Sequence, residues 1–128
     1  MNDSIADMII RLKNAGAAGK KFVLVSYSKI NFAIAEVLRE EGFIKSVSKK
    51  GKRVNKLIEI ELSYEGNSPK IKGVERISKF SRRVYLQAPD LKRAGGSGRL
   101  ILTTPQGILT DSEARKKHVG GEALFKIW

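Results

Sequence analysis

The chain contains no cysteine, so it has neither a disulfide framework nor a cysteine-ligated metal site. Its single histidine, His118, leaves no His cluster for zinc either, and no nucleophile signature accompanies it. There is no run of about 18 apolar residues, which excludes a helical membrane span. The opening Met1-Asn2-Asp3-Ser4 lacks the basic-then-apolar pattern of an export signal. Phosphate-cradling motifs are missing as well. Gly95-Gly96-Ser97-Gly98 leads into a strand rather than a helix, and no Gly-Lys-Ser/Thr occurs. Acidic residues are scarce, 13 against 25 Lys plus Arg. Asp3 and Asp7 share a helix face without a third carboxylate, which argues against a metal-dependent nuclease. These gaps point to a cytosolic protein with no cofactor, no metal, no catalytic residues, no membrane partner and no small-molecule substrate.

What is abundant is positive charge. The net charge is +12 and the pI about 10.1, a field that attracts polyanions. The excess is uneven. Residues 1–69 hold 12 basic and 8 acidic side chains, residues 70–99 hold 9 and 2, and residues 100–128 hold 4 and 3. The middle stretch therefore carries most of it, and contact with a polyanion explains such a density better than a merely solvated face. At 41% hydrophobic and 30% charged residues, the chain has the composition of a soluble folded protein.

The pattern of apolar residues predicts an α+β fold in two small subdomains, residues 1–66 and 67–128. In the first, Ile5, Met8, Ile9 and Leu12 follow helical spacing, with Ser4 and Asp7 expected at the start and Gly16 at the end. Phe22–Val25 reads as a strand, and Ser28 caps a second helix that Gly42 ends. Phe43–Val47 and Leu57–Leu62 are two further strands, joined through the basic Lys49–Arg53 segment, so the order is α-β-α-β-β. Gly66-Asn67-Ser68-Pro69 marks the expected linker. The second subdomain is mainly antiparallel β: Ile71–Ile77, Arg83–Leu86, Leu100–Leu102 and Ala123–Trp128, with a helix or turn at Asp90–Arg93 and a short helix after Thr110. Thr110 and Glu113 have capping-box spacing.

Between Leu102 and that helix lies Thr103-Thr104-Pro105-Gln106-Gly107. Pro presets φ and Gly tolerates positive φ, so the segment reads as a tight turn presenting hydroxyls, an amide and exposed backbone. Uncharged groups of this kind discriminate base edges and sugar hydroxyls, which charge alone does not. Tyr85 follows Arg82-Arg83-Val84. A strand tyrosine there either packs its ring in the core or stacks on an unpaired base while the guanidinium groups meet phosphate. Ser28 has a sufficient role as a helix cap. Lys29 opposes the dipole on a first helical turn and so suits an external anion.

These segments together resemble the ribosomal protein S8 family of the small subunit, in its bacterial form. The likeness rests on Thr103 through Arg115 closed by Gly120-Gly121-Glu122, on Asp3-Ser4-Ile5-Ala6-Asp7-Met8 with Arg11 and Asn14, on Ser28-Lys29 and Ala33 through Ile44, and on Arg82-Arg83-Val84-Tyr85. It spans essentially the whole chain. The resemblance implies a non-enzymatic constituent of the small ribosomal subunit that binds the central domain of 16S rRNA early in assembly, supports the platform and touches neighbouring small-subunit ribosomal proteins. For some bacterial members it also implies repression of their own mRNA through a similar site. It carries RNA contact to Thr103, Thr104, Gln106 and Gly107, where the family turn enters the RNA minor groove, and to Tyr85, Arg82, Arg83, Glu122, Arg11, Asn14, Ser28 and Lys29. Many members have Ser and Lys where this chain has Pro105 and Gln106, so one hydroxyl and one cation are missing here. The alternatives are a general basic RNA binder or translational repressor outside the ribosome, a nuclease or RNA-modifying enzyme, and a sequence-indifferent binder of DNA or anionic membrane.

Overall fold

The structure, a computed structural model, describes residues 3–51, 56–91 and 98–128. Lys52 and Arg53 of the basic segment, Lys92 and Arg93, and Gly95–Ser97 lie outside the described residues. The chain divides into two compact units between Lys72 and Gly73. Both mix helix and antiparallel sheet, so the α+β class holds.

The first unit runs α1 (Ser4–Ala17), β1 (Phe22–Ser26), α2 (Lys29–Glu40), β2 (Ile44–Lys50) and β3 (Leu57–Leu62), followed by a small hairpin of β4 (Tyr64–Glu65) and β5 (Ser68–Pro69). The sheet order is β1-β3-β2, all antiparallel. Ile58, Ile60 and Leu62 alternate inward with half-buried Glu59 and Glu61, as a one-faced strand requires. Ile5, Met8, Ile9 and Leu12 of α1 and Ile34 and Leu38 of α2 are buried in register with their helical spacing. The helix start differs from the expectation. Asp3, not Ser4, is the cap: its carboxylate accepts from Ala6 N–H at 3.1 Å, while Asp7 pairs with Arg11 one turn on. Nor does Gly16 end α1. It is buried inside the helix, where an added Cβ would sit 3.1 Å from the Pro69 ring. The stop falls on Gly19, at φ +72°. Gly66 and Asn67, expected as a linker, form the turn of the β4–β5 hairpin.

The second unit is built around β10 (Gly121–Ile127). It pairs with β6 (Val74–Arg76) and β7 (Tyr85–Leu86) along one edge and with β8 (Arg99–Thr104) along the other. β9 (Gly107–Thr110) follows β8. The strand expected over Ile71–Ile77 is only three residues long, Val74–Arg76, although Gly73 continues its register and exchanges both backbone hydrogen bonds with Trp128. A Cβ on Gly73 would lie 2.4 Å from the Trp128 indole, so the last aromatic packs flat on glycine backbone. The turn expected near Asp90 is a 3₁₀ helix over Ala88–Asp90. Helix α3 (Asp111–Lys116) starts with the expected capping box: Thr110 Oγ1 accepts from Glu113 N–H at 3.2 Å and Glu113 Oε1 from Thr110 N–H at 3.3 Å. Leu91, Leu100, Leu102, Leu109, Ala114 and Ala123 form the core beneath it. Each of α1, α2 and α3 ends in a six-to-one and a five-to-two hydrogen bond around a left-handed residue. Gly19 and Gly42 fill that position on α1 and α2. On α3 it is His118, at φ +56°. The histidine thus closes a helix.

Candidate nucleic-acid interface

Three of the site residues read from the sequence lie in one cross-strand row. Glu122 of β10 pairs with Tyr85 of β7 on one side and with Thr103 of β8 on the other. Residues paired across antiparallel strands point to the same sheet face, and Arg83, just before β7, reaches the row through its bond to Glu122. Tyr85 is 68% exposed, which disposes of the reading that its ring packs in the core. Glu122, whose side chain is only 13% exposed, accepts from Arg83 Nη1 at 3.0 Å. The carboxylate therefore aims a guanidinium at the surface, which explains an acid in a basic face.

The row leads directly into the turn. Thr104 pairs with Gly107, leaving Pro105 and Gln106 as a two-residue tip, and Gly107 takes φ +109°. The Thr104 hydroxyl is used twice within the turn: it donates to Gly107 O at 2.8 Å and accepts from Gln106 N–H at 3.1 Å. Thr104 is thus first of all the lock that stiffens the tip. Pro105, Gln106 and Gly107 are exposed. The glycine pair makes the approach of the strands possible. A Cβ on Gly121 would lie 2.2 Å from Thr103 O, and one on Gly120 would lie 2.3 Å from Leu86 O. Between β7, β8 and β10 the same residues line an open cleft of about 430 Å³, walled by Tyr85 and Gln87 on one side and by Thr103, Thr104 and Pro105 on the other.

The remaining site residues are placed as follows. Arg82 is exposed and its backbone pairs both ways with Lys79. Arg11, Asn14, Ser28 and Lys29 belong to the first unit. Arg11 and Asn14 are one turn apart on α1. Arg11 is held by Asp7 at 3.1 Å and donates to Leu24 O at 3.4 Å. Ser28 Oγ accepts from Asn31 N–H at 3.1 Å, so its cap role is filled, and Lys29 stands exposed on the first turn of α2. Sequence reasoning passed over two groups. One is Phe80, 51% exposed, with the Arg83 guanidinium 5.3 Å from its ring centroid. The other is the pair Tyr27 and Phe32, whose rings are 6.2 Å apart with Lys49 over both and Lys56 over Tyr27. Aromatics interleaved with Lys and Arg were the available signal in each. Among the described residues no group of three or more His, Cys, Asp or Glu gathers to hold a metal ion.

Residues 3–128 of the chain match the family described as ribosomal protein S8. The chain belongs to the ribosomal protein S8 family. It is 45% identical over 130 residues to the small ribosomal subunit protein uS8 of Kocuria rhizophila, covering 100% of this chain and 98% of that protein. The uS8 proteins of Trichormus variabilis and Mycoplasmopsis agalactiae are each 43% identical, with 99% and 100% of this chain and 98% of each relative covered. Family membership makes the protein a structural, non-enzymatic component of the ribosome. No described helix is long and apolar enough to cross a membrane.

Proposed function

We propose that this chain, as a small-subunit constituent of the cytoplasmic ribosome, binds the central domain of 16S rRNA and supports assembly of the platform there, beside neighbouring small-subunit ribosomal proteins. The observation that carries the reading is the row Tyr85–Glu122–Thr103 running into the locked tip at Thr104–Gly107. A pre-stiffened turn loses little conformational freedom on docking, so its hydrogen bonds act on RNA shape instead of on ordering the protein. Thr103 Oγ1, the Gln106 amide and the Gly107 backbone offer both donors and acceptors to sugar hydroxyls and base edges. Tyr85 offers a ring for stacking, and Arg83, aimed by Glu122, meets phosphate. Lys79, Arg82, Arg11 and Lys29 add salt-sensitive attraction without discrimination. Asn14 is exposed one turn from Arg11, and the half-buried Ser28 cap directly precedes Lys29.

Chemical footprinting of the purified chain on small-subunit rRNA tests this. Protection concentrated in one helical region of the central domain, lost when residues 103–107 are exchanged for an unrelated loop, is the expected result. Protection spread evenly along the rRNA, or unchanged by the exchange, overturns it and leaves a general basic binder.

A further inference from the structure

Residues 78–83 form a second tight turn in the second unit. Ser78 is fully buried, and its hydroxyl accepts from Val84 N–H at 2.9 Å and donates to Val84 O at 3.3 Å. Above this clamp, Lys79 N–H donates to Arg82 O at 2.9 Å and Arg82 N–H to Lys79 O at 3.0 Å. The two residues at the tip are Phe80 and Ser81. A large aromatic on the tip of a closed turn gives up burial that a polar residue would not miss. Its position is nonetheless fixed: the Arg83 guanidinium lies over the ring, 5.3 Å from the centroid, and Arg83 Nη1 is itself anchored on Glu122 at 3.0 Å. One side of the ring is backed by a cation, and 51% of the residue remains exposed.

We infer that Phe80, backed by Arg83, is a second stacking platform, which takes an unpaired RNA base while Lys79 and Arg82 meet the flanking phosphates. This rests on the rRNA-binding reading and adds to it a contact outside the Thr103–Gly107 turn and the cleft. The local chemistry selects nucleic acid over protein. Phe80 is flanked in sequence by Lys79, Arg82 and Arg83, and the carboxylate bound to Arg83, Glu122, is largely buried. A π face with cations around it is what single-stranded RNA binders present, since every base has a face to stack and every step a phosphate to neutralise. Through Arg83 and Glu122 the platform is coupled to the row that bears Tyr85 and Thr103, so both aromatic rings stand on one rigid framework.

The test uses the full chain, a central-domain 16S rRNA transcript, a random-sequence RNA of equal length, a single-stranded oligonucleotide and a fully paired duplex. Phe80→Ala is expected to weaken transcript and oligonucleotide about 5- to 100-fold, the range for one lost base stack, and to leave the duplex and the salt slope unchanged. Phe80→Trp retains binding. Phe80→Leu, apolar without a π face, loses nearly as much as Phe80→Ala, and its melting temperature reports that the fold is kept. Wild-type affinity for transcript in either Phe80→Ala or Phe80→Leu overturns the inference, as does a loss confined to binding of a neighbouring ribosomal protein. The two readings fail separately. If wild type does not prefer transcript to random RNA, the rRNA reading falls. If it does, and Tyr85→Ala weakens binding while Phe80→Ala does not, only the second platform falls.

Discussion

The two tight turns of the second unit are built alike and equipped differently. At Thr104–Gly107 and at Lys79–Arg82 a pair of residues spans the tip, and a hydroxyl bonded to backbone holds the turn closed, Thr104 Oγ1 in one and Ser78 Oγ in the other. The first presents Pro, Gln and Gly with no charge. The second presents an exposed Phe between cations. Rigidity is therefore common to both, and the proposed division of labour rests on side-chain chemistry. Neutral donors and acceptors discriminate, whereas cations and a ring attract and stack. The pair Arg83 with Glu122, with backbone bonds from Ser78 and Val84 to Ala123, ties the cationic turn to the strand row beside the neutral one.

The largest effect is expected where the neutral turn is seated. Gly121→Ala places a Cβ 2.2 Å from Thr103 O and 3.0 Å from Thr104 Cγ2, and neither backbone can yield without parting β8 from β10. A loss of about 3 kcal/mol, a fall in Tm on the order of 10 °C, follows from overpacking against rigid backbone. Calorimetry of the variant measures it, and an unchanged Tm would refute the close approach.

Next comes the lock. Thr104→Ala removes both turn hydrogen bonds, and affinity for the cognate rRNA should fall by about 1–3 kcal/mol with the salt slope intact. Thr104→Ser, which keeps the hydroxyl, should restore most of it. Filter binding at several salt concentrations separates the outcomes. Equal losses on cognate and random RNA would erase the distinction between the two turns.

The cationic side is probed through its tether. Arg83→Ala leaves the largely buried Glu122 carboxylate without the guanidinium it accepts from, and should cost about 1–2 kcal/mol of stability. It should also weaken every RNA and flatten the salt slope by about one. Adding Glu122→Gln should recover the stability and leave the affinity low. Recovery of both would mean that Arg83 matters only as a structural partner.

Where sequence and structure agree, the signal was local. The inward alternation of Ile58, Ile60 and Leu62, the Ser28 cap and the Thr110–Glu113 box each need only a few consecutive residues, and each stands as expected. Disagreement came where a distant residue decides. Gly16 reads as a helix stop until Pro69 is found packed on it, and nothing local shows that Gly73 lies against the Trp128 indole. The site follows the same rule. The turn itself was legible, but the cross-strand meeting of Tyr85, Glu122 and Thr103 depends on register over 38 residues of chain, from 85 to 122 counted inclusively, and no local pattern encodes that. Phe80 was passed over because an aromatic in a basic run looks the same whether it is buried or exposed.

The smallest change sharpens the contrast most directly, because it gives the neutral turn the chemistry of the other. Gln106 is exposed, and its backbone N–H, not its side chain, holds the Thr104 lock, so Gln106→Lys should leave the fold unaltered. Added charge on a tip proposed to dock against RNA should tighten all RNAs by less than about 1 kcal/mol and steepen the salt slope by about one, with no gain in preference for the cognate rRNA over random RNA. Binding isotherms on both RNAs at two salt concentrations decide it. If the lysine instead sharpened that preference, charge at the tip would itself be discriminating, and the assignment of recognition to neutral groups would have to be abandoned.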